Sequence, residues 1–256
     1  MIQTSITNND FQYNIKSMKV GVFLKITYIH HSSFCVELES VVLLFDYYKG
    51  VIPQFDKNKH ILVFVSHSHH DHFNDEIFGL AKLYPRITYI LSKDIVSAKV
   101  LNKENIIYAA PNTSLNLPLS SEQGQCETFL STDEGVSFLV TVEGKVIYHA
   151  GDLHWWAWED DTKEEALSME TAFKREIDGL RKREIDVAFL PLDGRLGNHY
   201  YLGFDYFMNT TNTKYAFPMH FWKDHSIIEK FRSSDHAKTY QNKIINITED
   251  NQEFYL

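Results

Sequence analysis

The sequence predicts an α/β layered sandwich. Two observations carry that expectation. Short β-branched and aromatic runs, too brief for helices, recur along the chain, ILVFV at 61–65 being the clearest. They come in groups interleaved with segments of helical spacing. No repeat, low-complexity tract or Pro/Gly/Ser linker divides the 256 residues. A single domain over 18–256 is expected, with a polar, loosely ordered extension at 1–17.

The elements follow in order. LKITYIHHSSFCVEL (24–38) alternates as two short strands around a turn at His31–Ser33, and VVLLFD (41–46) is a buried strand ending on a carboxylate. ILVFVS (61–66) is another strand. Asn74 is suited to cap a helix in which Ile77, Leu80, Ala81 and Tyr84 fall at helical spacing until Pro85 stops it. RITYILS (86–92) is a strand and DIVSAKVL (94–101) a short helix. Strands return at 104–110, at 127–131, and at the pair VSFLVTV (136–142) and KVIYHA (145–150), joined across Glu143–Gly144 as a hairpin. Thr162 to Glu184 is the clearest helix, with Ala166, Met169, Phe173, Ile177 and Leu180 as its apolar stripe. A strand at 185–192, a helix at 204–209, a strand and loop at 214–221, a helix at 227–232, and strands at IINIT (244–248) and EFYL (253–256) close the chain.

Composition narrows the function. A formal net charge of −9 disfavours a nucleic-acid partner, whose phosphates call for a basic surface. Two cysteines, Cys35 and Cys126, are too few for a disulfide framework and suit free thiols in a reducing compartment, with one bridge as the alternative. The opening MIQTSITNNDFQYNIKS has no apolar signal core, and the run Val41 to Phe45 is far too short to span a bilayer. The expectation is a cytoplasmic protein without membrane insertion, acting on a small molecule.

The stretch SHSHHDHF (66–73) carries the chemistry. Four histidines and an aspartate crowd six positions directly after a buried strand. Neutral imidazole and carboxylate are ordinary ligands for zinc and similar cations. On such a loop, His67, His69, Asp71 and His72 can serve two ions about 3.5–4 Å apart.

These residues resemble a known family. His67-Ser-His69-His70-Asp71-His72 is similar to the signature motif of the metallo-β-lactamase superfamily. The resemblance implies a four-layer αββα sandwich with the metals at one edge of its two sheets. His149-Ala150-Gly151-Asp152 resembles the family's strand-end Gly-Asp, whose aspartate bridges the two ions, and Pro218-Met219-His220 resembles its closing histidine motif. Near the start, His31-Ser32-x-Phe34 and Asp46 resemble the opening of the branch that includes L-ascorbate-6-phosphate lactonase and N-acylphosphatidylethanolamine phospholipase D. The likeness spans about residues 24–222.

One ligand that the resemblance implies is missing. No histidine lies between His72 and His149, although a histidine there should join His67 and His69 on the first ion. Its place falls at Phe129–Gly135. Asp133 is the leading substitute, ahead of Glu134 and Cys126, with a plain turn as the alternative. Asp71, His72, Asp152 and His220 then give one ion four ligands, while His67, His69 and bridging Asp152 give the other three unless Asp133 joins. Zinc is the first expectation for two divalent ions, and a carboxylate in place of imidazole shifts preference towards manganese or iron.

Near these motifs, Trp155, Trp156 and Trp158 are candidates for a substrate wall, with packing as the alternative. Arg195 in PLDGRLG is a candidate anion clamp, or else one half of a surface salt bridge. His31 is a candidate pocket residue or a packed turn residue. His154 suits the surface, with a place behind the metal ligands as the alternative, and His149, three residues before Asp152, suits a structural role. The function implied is a metal-dependent hydrolase, in which a metal-bound hydroxide attacks a small ester, lactone or phosphodiester and Asp71 both ligates and orients the nucleophile. The alternative is a non-catalytic metal-binding or ligand-sensing protein with a degraded first site. Redox relatives of the superfamily depend on a flavin domain for which this chain has no room.

Overall fold

The computed structural model describes residues 24–95, 103–119 and 124–256. The proposed extension at 1–17 and most of the expected helix at 94–101 lie outside them. Among the described residues, thirteen strands form two sheets. The first holds β1 (Lys25–His30), β2 (Ser33–Glu37), β3 (Val41–Phe45), β4 (His60–Val65), β5 (Ile87–Ser92), β6 (Ile106–Ala109) and the C-terminal β13 (Glu253–Tyr255), in the order β13-β1-β2-β3-β4-β5-β6. The second holds β7 (Ser114–Leu117), β8 (Gly124–Leu130), β9 (Val136–Val142), β10 (Lys145–His149), β11 (Glu184–Pro191) and β12 (Asn212–Met219), in the order β12-β11-β10-β9-β8-β7.

Strand alternation makes the layers. In β4, Leu62 and Phe64 face the second sheet, while Ile61, Val63 and Val65 face outward into a separate apolar cluster. β3 behaves alike, with Val41, Leu43 and Phe45 inward and Val42 and Leu44 outward. Both faces are buried, which explains why these strands read as unbroken apolar runs. The outer cluster is covered by Ile77 and Phe78 of a 3₁₀ helix, Asp75–Lys82. On the far side, α1 (Lys163–Asp178) and α2 (Leu202–Thr210) pack on the second sheet, with Phe207 stacked on Tyr148 at 4.8 Å between centroids. A third helix, α3 (Ser226–Arg232), buries Ile227, Ile228 and Phe231. The result is the expected αββα order of layers.

Three expectations need correction. The segment after Asn74 is 3₁₀ rather than α, although Asn74 does cap it by accepting from the Glu76 amide. Helix α1 ends at Asp178 rather than Glu184: Gly179 follows as its cap, Lys182 turns into the left-handed region at φ 61°, and β11 begins at Glu184. IINIT contributes one isolated bridge, Ala216 to Ile244, rather than a strand. Strand β7 was not foreseen because its SLNL sequence lies at a sheet edge with polar residues exposed.

Strand direction positions the site. β3, β4, β5 and β6 run parallel, as do β10, β11 and β12. β1 lies two antiparallel steps from β3, and β8 two from β10, so both point the same way as these sets. The C-terminal ends of β1, β3, β4, β8, β10, β11 and β12 therefore gather at one edge, where loops can converge side chains. Among the described residues, no helix is long and apolar enough to cross a membrane.

Candidate metal centre

At that edge these strands deliver the polar groups of the centre. β1 leads to His31, β3 to Asp46, β4 to Ser66–His72, β8 to Asp133, β10 to Asp152, β11 to Asp193 and β12 to His220. Two glycines let the loops close. A Cβ on Gly135 (φ +69°) would lie 1.9 Å from the Ser66 carbonyl oxygen, and one on Gly151 (φ +52°) 2.6 Å from Ser66 Cβ. The β8–β9 turn and the β10 end can thus press against the histidine loop.

Asp46 organises the centre from beneath. It is sealed from solvent and accepts hydrogen bonds from the Ser66 amide (2.7 Å), the Ser66 hydroxyl (2.6 Å) and His72 Nδ1 (2.8 Å). With its proton given to Asp46, the Ser66 oxygen accepts from His67 Nδ1 at 2.9 Å. Both imidazoles are thereby oriented with Nε2 directed into the hollow, in the manner of a carboxylate–histidine–metal arrangement. Asp193 does the same for His220, accepting from Nδ1 at 3.0 Å, and is itself gripped by the Arg195 guanidinium. His149 stays structural: its Nδ1 accepts from the Gly151 amide (3.1 Å), its Nε2 donates to the Ser32 carbonyl (2.9 Å), and it stacks on Phe45.

Apart from His67 Nε2 and His69 Nδ1, which lie 3.1 Å apart, the groups that face the hollow are spaced more loosely than ordinary charge-assisted hydrogen bonds. His72 Nε2 is 3.2 Å from Asp152 Oδ1, His220 Nε2 is 3.5 Å from the same oxygen, and His67 Nε2 is 3.6 Å from Asp152 Oδ2. His69 Nδ1 is 3.6 Å from Asp133 Oδ2, and its Nε2 is 3.5 Å from Glu134. His67, His69, Asp133 and Asp152 place ligand atoms all within 4.8 Å of one another. His72 Nε2 and Asp152 Oδ1 are buried with no hydrogen-bond partner among the described residues. Two donors about 2.1 Å from one ion at the tetrahedral angle stand about 3.4 Å apart, so these spacings and orphaned atoms fit a bound cation.

The charge balance fits too. Burial works against ionising Asp152, yet His72 and His220 outweigh it and hold the carboxyl well below its ordinary range. Asp71 is held low in the same way, with His31 and His72 overcoming burial. Burial also opposes charge on His72 and His220, but Asp152 with Asp46 or Asp193 drives both upward, His220 to about 9. His67 is pushed down to about 4 by burial and His72, and His31 to about 4 by burial, so both are neutral at pH 7. A hollow that retains protons in this way has the negative potential that a divalent cation would take over.

The structure draws His67, His69, Asp71, His72, Asp152 and His220 into one volume, and Asp133 with them. Cys126 lies elsewhere, in the inter-sheet core. Trp156 and Trp158 line a cavity of about 360 Å³ over the centre, together with Met169, Thr132 and Arg195. Trp155 does not: it packs on Phe173 of α1 and lies under the Lys174 ammonium. His154 is buried rather than superficial, enclosed by Trp156, Phe173 and Gly203. Arg195 forms the salt bridge with Asp193 while its half-exposed guanidinium spans the rings of Trp158 and Trp222 at the cavity rim. His31 is fully buried beside Asp71 and the His220 ring.

Sequence reasoning gave Asp46 no role beyond a landmark and overlooked Asp193. Each is a lone carboxylate at the end of an apolar strand, a pattern that could have marked them.

Comparison with known proteins agrees with this architecture. A family model described as a β-lactamase superfamily domain matches residues 25–171. A UPF0173 metal-dependent hydrolase of Opitutus terrae is 27% identical over 217 residues, 77% of this chain and 85% of that protein. Among solved structures, Igni18, a metallo hydrolase of the archaeon Ignicoccus hospitalis, superposes with a TM-score of 0.63 at 18% identity, covering 91% of this chain and 98% of its own. The metallo-β-lactamase fold protein YhfI of Bacillus subtilis gives 0.60 at 14% identity, covering 92% and 100%. Family model, layer order and the converging histidine loop lead to one conclusion: the chain belongs to the metallo-β-lactamase superfamily.

Proposed function

We propose that this chain is a metal-dependent hydrolase that uses two divalent cations on a small ester, lactone or phosphodiester. The observation that carries the reading is the facing pair His72 Nε2 and Asp152 Oδ1, buried, 3.2 Å apart and unbonded, in a hollow continuous with the substrate-sized cavity. The name of the Opitutus relative supports the reaction class.

His67, His69, Asp133 and Asp152 would hold one cation; Asp71, His72 and His220 would hold the other, with Asp152 reaching both. The cations, when bound, supply activation of water at neutral pH and polarisation of a substrate oxygen. The chain supplies the rest. Asp71 lies at the cavity wall and, being ionised, accepts a hydrogen bond from the attacking water and orients it. Asp46 and Asp193 lock the imidazole tautomers. Trp156, Trp158 and Met169 give the cavity an apolar wall that excludes bulk water, and Arg195 offers a cation to an anionic substrate group at the rim. Zinc is the first choice, because imidazole and carboxylate suit it; Asp133 in place of an imidazole admits manganese or iron. The buried free thiols of Cys35 and Cys126 support a cytoplasmic setting.

A donor set of four around His67 and His69 supports catalysis over the degraded-site alternative. The test is turnover of a panel of activated esters, lactones and phosphodiesters by metal-loaded protein, with and without chelator. Chelator-sensitive hydrolysis of one class is expected. Two bound ions with no turnover across the panel would leave a sensor as the better account.

A further inference from the structure

We infer that His31 is a ligand of the second cation, so that the imidazole missing from the His67/His69 seat is matched by an additional one on the opposite seat. The inference rests on the two-cation reading above and adds a residue to it.

His31 is fully buried, yet neither Nδ1 nor Nε2 has a hydrogen-bond partner among the described residues. A neutral imidazole offers one donor and one acceptor, and leaving both unused inside a protein is rare without a reason. The ring stands where a ligand would. Its Nε2 is 3.4 Å from Asp71 Oδ2, and His31, Asp71, His72 and His220 place ligand atoms all within 4.8 Å of one another. That spacing is the one seen between the other groups around the hollow, longer than a charge-assisted hydrogen bond of about 2.8 Å.

The backbone is built to hold the ring there. His31 takes a left-handed φ of 56°, uncommon without glycine, at the turn between β1 and β2. The Tyr28 hydroxyl accepts from its amide at 2.8 Å, and its carbonyl faces the His220 amide. Trp222 covers the ring at 4.4 Å between centroids, and Trp222 and His220 are also left-handed. Several strained residues converge to press one unbonded imidazole towards Asp71.

The two seats then differ in chemistry. One offers His67, His69, Asp133 and Asp152, two imidazoles and two carboxylates, with His69 and Asp133 partly open to solvent. The other offers His31, His72, His220 and Asp71, with Asp152 reaching it as well, three imidazoles against two carboxylates, all buried. The nitrogen-rich seat prefers zinc, and the carboxylate-rich seat accepts harder ions.

Cadmium-113 serves as the probe. In wild-type protein loaded with two equivalents, nuclear magnetic resonance should show five imidazole rings with scalar coupling to cadmium. One of them should vanish in His31→Gln. Equilibrium dialysis with zinc should show one of two binding events weakened by about 10- to 100-fold in that variant, the other unchanged. Four coupled rings in wild-type protein, a readout independent of any variant's folding, would overturn the inference and leave the two-cation reading intact. Failure of wild-type protein to bind cadmium or zinc at all would overturn both.

Discussion

Asp46 Oδ2 lies 2.8 Å from Nδ1 of His72, and both side chains are sealed from solvent. Although burial opposes it, contact with His149 and His72 keeps the Asp46 carboxyl below its ordinary range, so it acts as a fixed negative charge under the centre. Asp46→Asn removes that charge while keeping the shape. Metal affinity should fall by about 10- to 100-fold, read by competition with a chromophoric chelator. Asp46→Ala should also cost about 3–5 kcal/mol in chemical denaturation, because His72 and the Ser66 amide lose a buried partner. An unchanged affinity in both variants would remove Asp46 from the centre.

Gly135 has no room for a side chain, since an added Cβ would sit 1.9 Å from the Ser66 oxygen. The Val136 amide donates to that same oxygen at 3.0 Å. Gly135→Ala must move the turn that carries Asp133 away from His69. Stability should drop by at least about 2 kcal/mol, and the His67/His69 ion should be the one lost. A variant that unfolds at the same denaturant concentration as the parent would contradict the close approach.

On the two-cation proposal, graded chelation should empty the two seats in order. The His69 and Asp133 side chains are 43% and 41% exposed, whereas the His72 side chain is fully covered. The His67/His69 ion should therefore leave first, as two separated phases in a stopped-flow chelation trace. Asp133→Ala should speed the first phase and leave the second unchanged. Simultaneous release of both ions, indifferent to Asp133→Ala, would show that Asp133 only shapes the turn.

The tryptophans should separate by role. Trp158 is exposed at the cavity rim, so Trp158→Ala should raise KM and change stability by no more than about 0.5 kcal/mol. Trp155, held between Phe173 and Tyr206, should cost about 2 kcal/mol when truncated, with KM unaltered. Steady-state kinetics on whichever substrate the panel yields, with denaturation curves alongside, check both.

Acid should act on a carboxylate outside the candidate metal centre. Asp186 accepts from the Val146 amide at 2.9 Å and Lys214 Nζ at 2.7 Å, tying β10, β11 and β12 together. Burial opposes its ionisation, but Lys214 and the Val146 amide hold it below the ordinary 3.8. A depressed folded-state pKa contributes stability that is present above 3.8 and lost as pH falls through the folded value. Asp186→Asn should therefore be less stable than the parent at pH 7, by about 1 kcal/mol, and the gap should close below pH 3.8. A gap that stays constant from neutral to acid pH would show that the ionised form matters little.

Local pattern was sufficient for much of the molecule. Period-two alternation and unbroken apolar runs marked β1 to β5 and β9 to β12, because a strand buried on one or both faces must display its environment in its own residues. The loop 66–72 announced metal chemistry for a similar reason: six neighbouring positions hold groups that few structural roles would place together. Where the signal was faint, the element was an edge strand such as β7, or its type depended on packing, as in the 3₁₀ segment at Asp75–Lys82.

Only tertiary structure assembled the rest. Asp133 meets His69 across 64 positions of chain, and His220 meets Asp193 beside it on the neighbouring strand and Asp71 from the other sheet. Trp155 and Trp156 are adjacent in sequence, yet one supports α1 and the other lines the cavity. Arg195 was legible as a cation, but not its grip on Asp193. His31 reads as a turn residue until β1 and β12 are seen to end at the same edge of the sandwich. Ligand spacing within one loop is set by neighbouring backbone and can be read along the chain. Spacing between loops depends on strand direction, sheet order and two glycine contacts, which a linear sequence does not display.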